Sequence, residues 1–202
     1  MADTCFGVAY EGGVVLATDQ SNARSIMVYQ TNLDKITELT SHSAMAVSGP
    51  NCDLVNFTQY ISKNLQLYEL ANDGTKLSTH AQANFARGEL AKALRKGPYQ
   101  VNVLMAGYDE GKGGSLYFMD YLGSLQKIPY GSQGYASNFC LSIMDKECMP
   151  EGMDEAAALK IVDHCIQELH TRFLLSQPNF IVKVVDKDGV RTVKFGGDPA
   201  DT

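Results

Sequence analysis

The stretch MADTCFGVAYEGGVVLATDQ, residues 1–20, places Thr4 before two short apolar runs and closes near an aspartate, Asp19. Cys5–Tyr10 and Val14–Thr18 each read as a strand. Glu11-Gly12-Gly13 between them reads as a hairpin turn, because glycine takes the positive φ that a tight turn needs. The reading of this hairpin decides whether Thr4 and Asp19 form part of a reactive site or only part of a sheet.

Outward from the hairpin, Ile36–Thr37 and Ser43–Ser48 read as a second hairpin that ends at Gly49-Pro50. After Pro50 the period changes. Leu54, Phe57, Ile61, Leu65 and Tyr68 recur at steps of three and four, one face of a helix. Asn72-Asp73-Gly74 stops it, and Ser78 is an N-cap for a second helix striped by Ala83, Ala86, Leu90 and Leu94. The small residues of that helix either admit a second backbone or simply reflect the helix propensity of alanine. Strands resume at Val101–Ala106, Leu116–Met119 and Leu125–Ile128. A helix is expected over Tyr135–Asp145, and Asp154 caps a longer one with Ala158, Ile161, Val162, Cys165 and Leu169 as its stripe. Phe180–Val185 and Val190–Phe195 flank a turn at Asp186–Gly189, and the tail after Gly196 is expected to be loose. Helices come in pairs, not one after each strand. That pattern predicts an α+β fold in one domain: two antiparallel sheets face to face between two helix pairs, a four-layer αββα sandwich.

Composition narrows the classes. The chain has 202 residues, 45% hydrophobic and 20% charged, with a net charge of −6. This is long enough for one full core, and the charge gives no pull toward nucleic acid or anionic membrane. No apolar run approaches the roughly 18 residues of a membrane span, and no basic segment followed by an apolar stretch opens the chain. Five scattered cysteines without a C-x-x-C pair predict free thiols. Cys5, inside a strand, reads as a small buried hydrophobe. His164, Cys165 and His170 on one helix lack the pattern of a metal site. Gly111-Lys112-Gly113-Gly114 joins two strands and lacks the ending of a phosphate loop, so it reads as a hairpin loop. No cofactor is expected.

A threonine hydroxyl is a weak nucleophile near neutral pH and needs a base. The α-amine of a chain that begins at the threonine can serve, with an unperturbed pKa near 8, and a neighbouring lysine lowers its proton affinity. Such a site needs a free N-terminal threonine, an aspartate on the adjacent strand and a lysine on the next.

The residues carry a family resemblance. Gly13–Asp19 (GVVLATD), Asp34–Ile36 (DKI) and Val47–Pro50 (VSGP) resemble β-type subunits of the 20S proteasome, whose fold is the N-terminal-nucleophile-hydrolase sandwich. Tyr60–Tyr68, Pro98–Asp109, Leu116–Leu122, Pro129–Tyr135 and Val184–Gly189 are similar to the non-catalytic subunit at the fourth position of the β ring. The likeness runs from about Thr4 to Asp188. It implies that the strand aspartate of the catalytic pattern falls on Asp19, the lysine on Lys35, the oxyanion-hole glycine on Gly49 and a serine near the nucleophile on Ser132. The later R-D-x-x-S-G element falls on Arg172–Gln177, so Phe173 replaces its aspartate, Ser176 keeps its serine and Gln177 replaces its glycine.

The nucleophile's own position is reached by counting. Asp19 and Lys35 lie 16 and 32 residues after Asp3, the spacing of the catalytic pattern, and one fewer after Thr4. One residue along a strand turns a side chain to the other face, so Thr4 is expected to point away from Asp19 and Lys35. Asp3 has no hydroxyl to form an acyl ester. Met1-Ala2 is not a pro-segment ending in glycine. Asp3, Asp19, Lys35, Gly49, Phe173 and Ser176 are therefore expected as remnants of catalytic positions, with Asp19–Lys35 kept as a salt bridge and Asp3 completing its charge balance. An active threonine endopeptidase processed at Thr4 is the alternative.

The resemblance further implies a 28-subunit hetero-oligomer in the cytoplasm and nucleus, serving ATP-dependent degradation of ubiquitinated proteins. The expected neighbours are the third and fifth β subunits, the α ring and the opposite β ring. The first helix pair is expected to face the α ring and the later pair the other β ring. Met144, Met149 and Met153 cluster around the turn between the later helices, and Phe139 joins them as a candidate contact. They are expected either as ring contacts, since a turn gains little from apolar residues, or as a local satellite core.

Overall fold

A computed structural model describes residues 3–24, 26–149, 152–193 and 195; the expected tail at 196–202 lies outside them. Strands β1 (Cys5–Tyr10), β2 (Gly13–Asp19), β3 (Asn22–Arg24), β4 (Met27–Gln30), β5 (Ile36–Thr40) and β6 (Ser43–Ser48) come first. Helices α1 (Asn51–Ala71) and α2 (Thr79–Ala93) follow, then β7 (Asn102–Asp109), β8 (Gly113–Met119), β9 (Leu125–Ile128) and β10 (Tyr130–Gln133). A 3-10 turn at Gly134–Ala136 leads into α3 (Ser137–Glu147), then α4 (Glu155–Arg172), β11 (Phe180–Asp186) and β12 (Gly189–Val193).

One sheet has the order β10-β1-β2-β11-β12 and the other β5-β6-β7-β8-β9, with every pairing antiparallel. Alternation along the strands builds the layers. In β2, Val14 and Leu16 enter the space between the sheets, while Val15 and Ala17 meet α3 and α4. In β6, Ala44 and Ala46 face the first sheet, while Met45 and Val47 pack under α1 and α2. All seven residues of β2 are buried because both of its faces are covered. The result is the four-layer sandwich of two antiparallel sheets and four helices that the helix pairs predicted.

Two glycines are set by close approach. A Cβ on Gly114 would lie 2.5 Å from the Gly13 backbone, so the sheets touch main chain to main chain at that point. Gly49, at φ 153°, would put a Cβ 2.4 Å from the Gln100 carbonyl oxygen. Ala83 and Ala86 are fully buried against the second sheet, so on that stripe of α2 the small side chains do admit a close neighbour.

Three strands were not read from the sequence. The β3–β4 ribbon is short and exposed, with Met27, Val28 and Tyr29 all outside the core, so it has no buried face to impose a period. β10 is four residues that pair with the edge of β1. Two interface expectations are corrected. Met144 and Met153 are buried with Cys140, Ile161 and Cys165 in the main core between the first sheet and α3–α4, so they are neither a satellite cluster nor surface for a ring contact. Phe139 is half-buried, packed edge-on to Phe173. Met149 alone of the four is exposed, at 71%.

Candidate functional site

The site lies where β1 begins, beside the end of β2 and the start of β5. In β1, Phe6, Val8 and Tyr10 face α3 and α4, whereas Cys5 faces the other sheet. Continuing the alternation, Thr4 belongs to the helix side and Asp3 to the inter-sheet side. The contacts follow that division. Thr4 Oγ1 donates to Gln177 Oε1 at 2.8 Å. Asp3 Oδ1 lies 2.9 Å from Lys35 Nζ.

Lys35 enters from the loop before β5 and is 4% exposed. Its ammonium also lies 3.0 Å from both oxygens of Asp19, which is 1% exposed. Asp19 further accepts the N–H of Thr4 at 2.9 Å and that of Ser21 at 3.1 Å. Asp3 Oδ2 accepts from the Gly49 N–H at 3.4 Å. One buried cation is thus clamped by two carboxylates, and one of these also holds the Gly49 amide. Burial raises the Asp19 carboxyl above its usual range; the Lys35 charge, then the Thr4 N–H, work against that rise. A buried ammonium without partners would be costly, and here each polar atom has its counterpart.

The remaining positions are arranged differently. Ser132 is buried, and its hydroxyl donates to the Cys5 carbonyl at 3.3 Å. Phe173 ends α4 and stacks with Tyr135 and Phe139, filling space with rings instead of charge. Ser176 is exposed and makes no hydrogen bond to the Asp3–Lys35–Asp19 group. Gln177, 5% exposed, turns inward to Thr4 instead.

A second buried lysine escaped the sequence reading. Lys183, on β11, meets Asp34 at 2.8 Å and Glu38 at 3.2 Å and donates to the Ile36 carbonyl at 3.0 Å. Asp34 and Lys35 therefore pin the same strand start through opposite partners. The available signal was Lys183 interrupting the apolar run Phe180–Val185. His164 pairs with Glu147 at 2.8 Å, and His170 Nε2 lies 2.9 Å from the Gln177 carbonyl, so the two histidines serve different contacts. Burial drives the Cys5 thiol far above its usual range, which fits a packing role.

This sandwich, with Asp19 and Lys35 meeting at the head of the first hairpin, defines the class of N-terminal-nucleophile hydrolase folds. The proteasome subunit family matches residues 1–185, and the chain belongs to that family as a β-type subunit. It is 48% identical to proteasome subunit beta type-2-A of Arabidopsis thaliana over 92% of this chain and 90% of the relative. It is 50% identical to proteasome subunit beta type-2 of Oryza sativa subsp. japonica, over 92% and 86% respectively. It is 39% identical to proteasome subunit beta type-4 of Saccharomyces cerevisiae, over 95% and 96%.

Proposed function

We propose that this chain is a non-catalytic, structural β subunit of the 20S core particle, at the fourth position of the β ring. The observation that carries the reading is the occupancy beside Lys35. The side chain there is the Asp3 carboxylate, which has no hydroxyl to acylate. Its second oxygen already takes the Gly49 N–H, the donor that would receive an oxyanion. The nearest hydroxyl, Thr4, is turned to the other face and bonded to Gln177. The relatives are named beta type-2 and beta type-4, which supports a β-type subunit; the ring position rests on the resemblance of Tyr60–Tyr68 and Pro98–Asp109 to the fourth subunit. In this reading the chain closes the ring beside the third and fifth β subunits, contacts the α ring and the opposite β ring, and works in the cytoplasm and nucleus. The particle around it degrades ubiquitinated proteins in an ATP-dependent pathway.

The test is the mass and N-terminal sequence of the chain taken from assembled particles, after treatment with a threonine-reactive electrophile. The expected chain retains Asp3 and carries no label. A labelled chain that starts at Thr4 would establish the processed endopeptidase instead.

A further inference from the structure

A cleft of about 530 Å³ opens between α2, β8 and the loop that leads into β9. Its lining includes His80, Asn84, Arg87, Tyr117 and Lys127, and no acidic residue. In a chain of net charge −6, a cleft lined by Arg, Lys and His without one acid is an electrostatic exception. The acids close in sequence are engaged elsewhere: Glu89 pairs with Lys92 at 2.6 Å and accepts from the Tyr60 hydroxyl at 3.2 Å, and Asp120 is turned back on its own loop, where it accepts the N–H groups of Leu122 and Ser124 at 3.1 and 2.8 Å.

Arg87 is fixed in place. Its Nε–H donates to the Gly123 carbonyl at 3.0 Å, and Gly123, at φ 82°, is tucked against Ala91 of α2. Guanidinium has five N–H donors. The other four of Arg87 have no hydrogen-bond partner among the described residues, and neither Arg87 nor Lys127 has a carboxylate partner among them. A planar fork held by its base, with its tips free, is preorganised for two-point binding of a carboxylate. His80 packs on the Tyr117 ring, with centroids 5.8 Å apart, which closes the floor. Immediately before the lining residues Gly123 and Ser124, Tyr121 is 45% and Leu122 51% exposed. Apolar and aromatic side chains beside an anchoring arginine are the composition of a protein interface core.

We infer that this cleft docks an acidic segment of a neighbouring proteasome subunit, with Arg87 and Lys127 taking a carboxylate and Tyr121-Leu122 packing beside it. The occupant is another subunit because the family assembles and because the adjoining Tyr121-Leu122 pair suits a polypeptide more than a small anion. The inference rests on family membership and is independent of whether Thr4 is ever a nucleophile.

Zero-length carbodiimide cross-linking of assembled core particles, read by peptide mass spectrometry, tests it. Lys127 is expected to join an Asp or Glu of another subunit. In Arg87→Ala particles the yield of that cross-link should fall about tenfold, the equivalent of losing about 1.4 kcal/mol of contact. Acetylation of Lys127 should likewise be several-fold slower in the particle than in the free chain. Lys127 acetylating equally fast in the particle and the free chain, with no cross-link, would overturn the inference. So would protection of Lys127 that appears only on adding inorganic tripolyphosphate, which would make the cleft a small-anion site.

Discussion

At the scale of single residues, the site is a charge clamp whose members were mostly found by counting. Asp3, Asp19 and Lys35 were found by their spacing, and the structure unites them around one ammonium. The β1–β2 register sets Thr4 opposite Asp19, which takes the Thr4 N–H, while the Thr4 hydroxyl turns away from Asp3 to Gln177. The partner of its hydroxyl, Gln177, lies 173 residues away, and no local period points to such a contact. Lys183 escaped for the same reason: its acids lie far away in the chain, Asp34 in the loop before β5 and Glu38 on β5. The clamp predicts the cost of breaking it. Lys35→Ala leaves Asp19 buried beside Asp3 with no cation between them. Breaking a buried pair in this way costs about 3–5 kcal/mol. Asp3→Asn, which keeps the Lys35–Asp19 pair and an acceptor for Gly49, should cost about 1–2 kcal/mol. The expected result is a much smaller incorporation of the Lys35→Ala chain into core particles, with Asp3→Asn between it and the parent. Normal incorporation with one peptidase activity selectively lost would contradict a structural clamp.

At the scale of elements, α3 and α4 are joined to the first sheet by a core that includes three thiols. Cys140 and Cys165 are fully buried and Cys148 half-buried between them and the surface. Burial, then the neighbouring Cys165 and Glu147, pushes the Cys148 thiol up to about 12. Alkylation requires the thiolate. At pH 8, iodoacetamide should therefore modify exposed Cys52 in the free chain orders of magnitude faster than Cys148, and the difference should vanish on unfolding in urea. The sign of the linkage follows: a thiol pKa higher in the folded than in the unfolded chain adds stability that is complete below about pH 8.5. That contribution is lost as pH rises toward 12. Equal labelling of Cys52 and Cys148 in the native chain would show that α3 opens readily. The same packing corrects the interface expectation at Met144 and Met153. A run of methionines around a turn has no orientation in sequence, and only the α3–α4 contact turned these two inward.

At the scale of the molecule, the chain leaves apolar surface that its own layers do not cover. Ile26, Met27, Val28 and Tyr29 on the β3–β4 ribbon are more than half exposed, as are Leu67 and Leu70 on α1 and Leu174 after α4. Patches of this kind mark contact sites, which agrees with membership of a family that assembles. The isolated chain is expected to form no homo-ring and to turn over no peptide, as read by native mass spectrometry and a fluorogenic peptide panel. Six- or seven-membered rings of this chain alone, with turnover at the rate of an assembled particle, would refute that.

The layer order of the sandwich was legible because it is written in local periods: two for strands, 3.6 for helices, with glycine and proline between them. The register that separates Asp3 from Thr4 was legible too, since alternation is a property of any strand. Tertiary structure alone decided what each of those faces meets. It delivered Gln177 to Thr4, closed Asp3 onto the Gly49 amide and paired Lys183 with Asp34. These contacts join segments far apart in the chain, so their geometry is a consequence of how whole layers stack, and no window of sequence contains it.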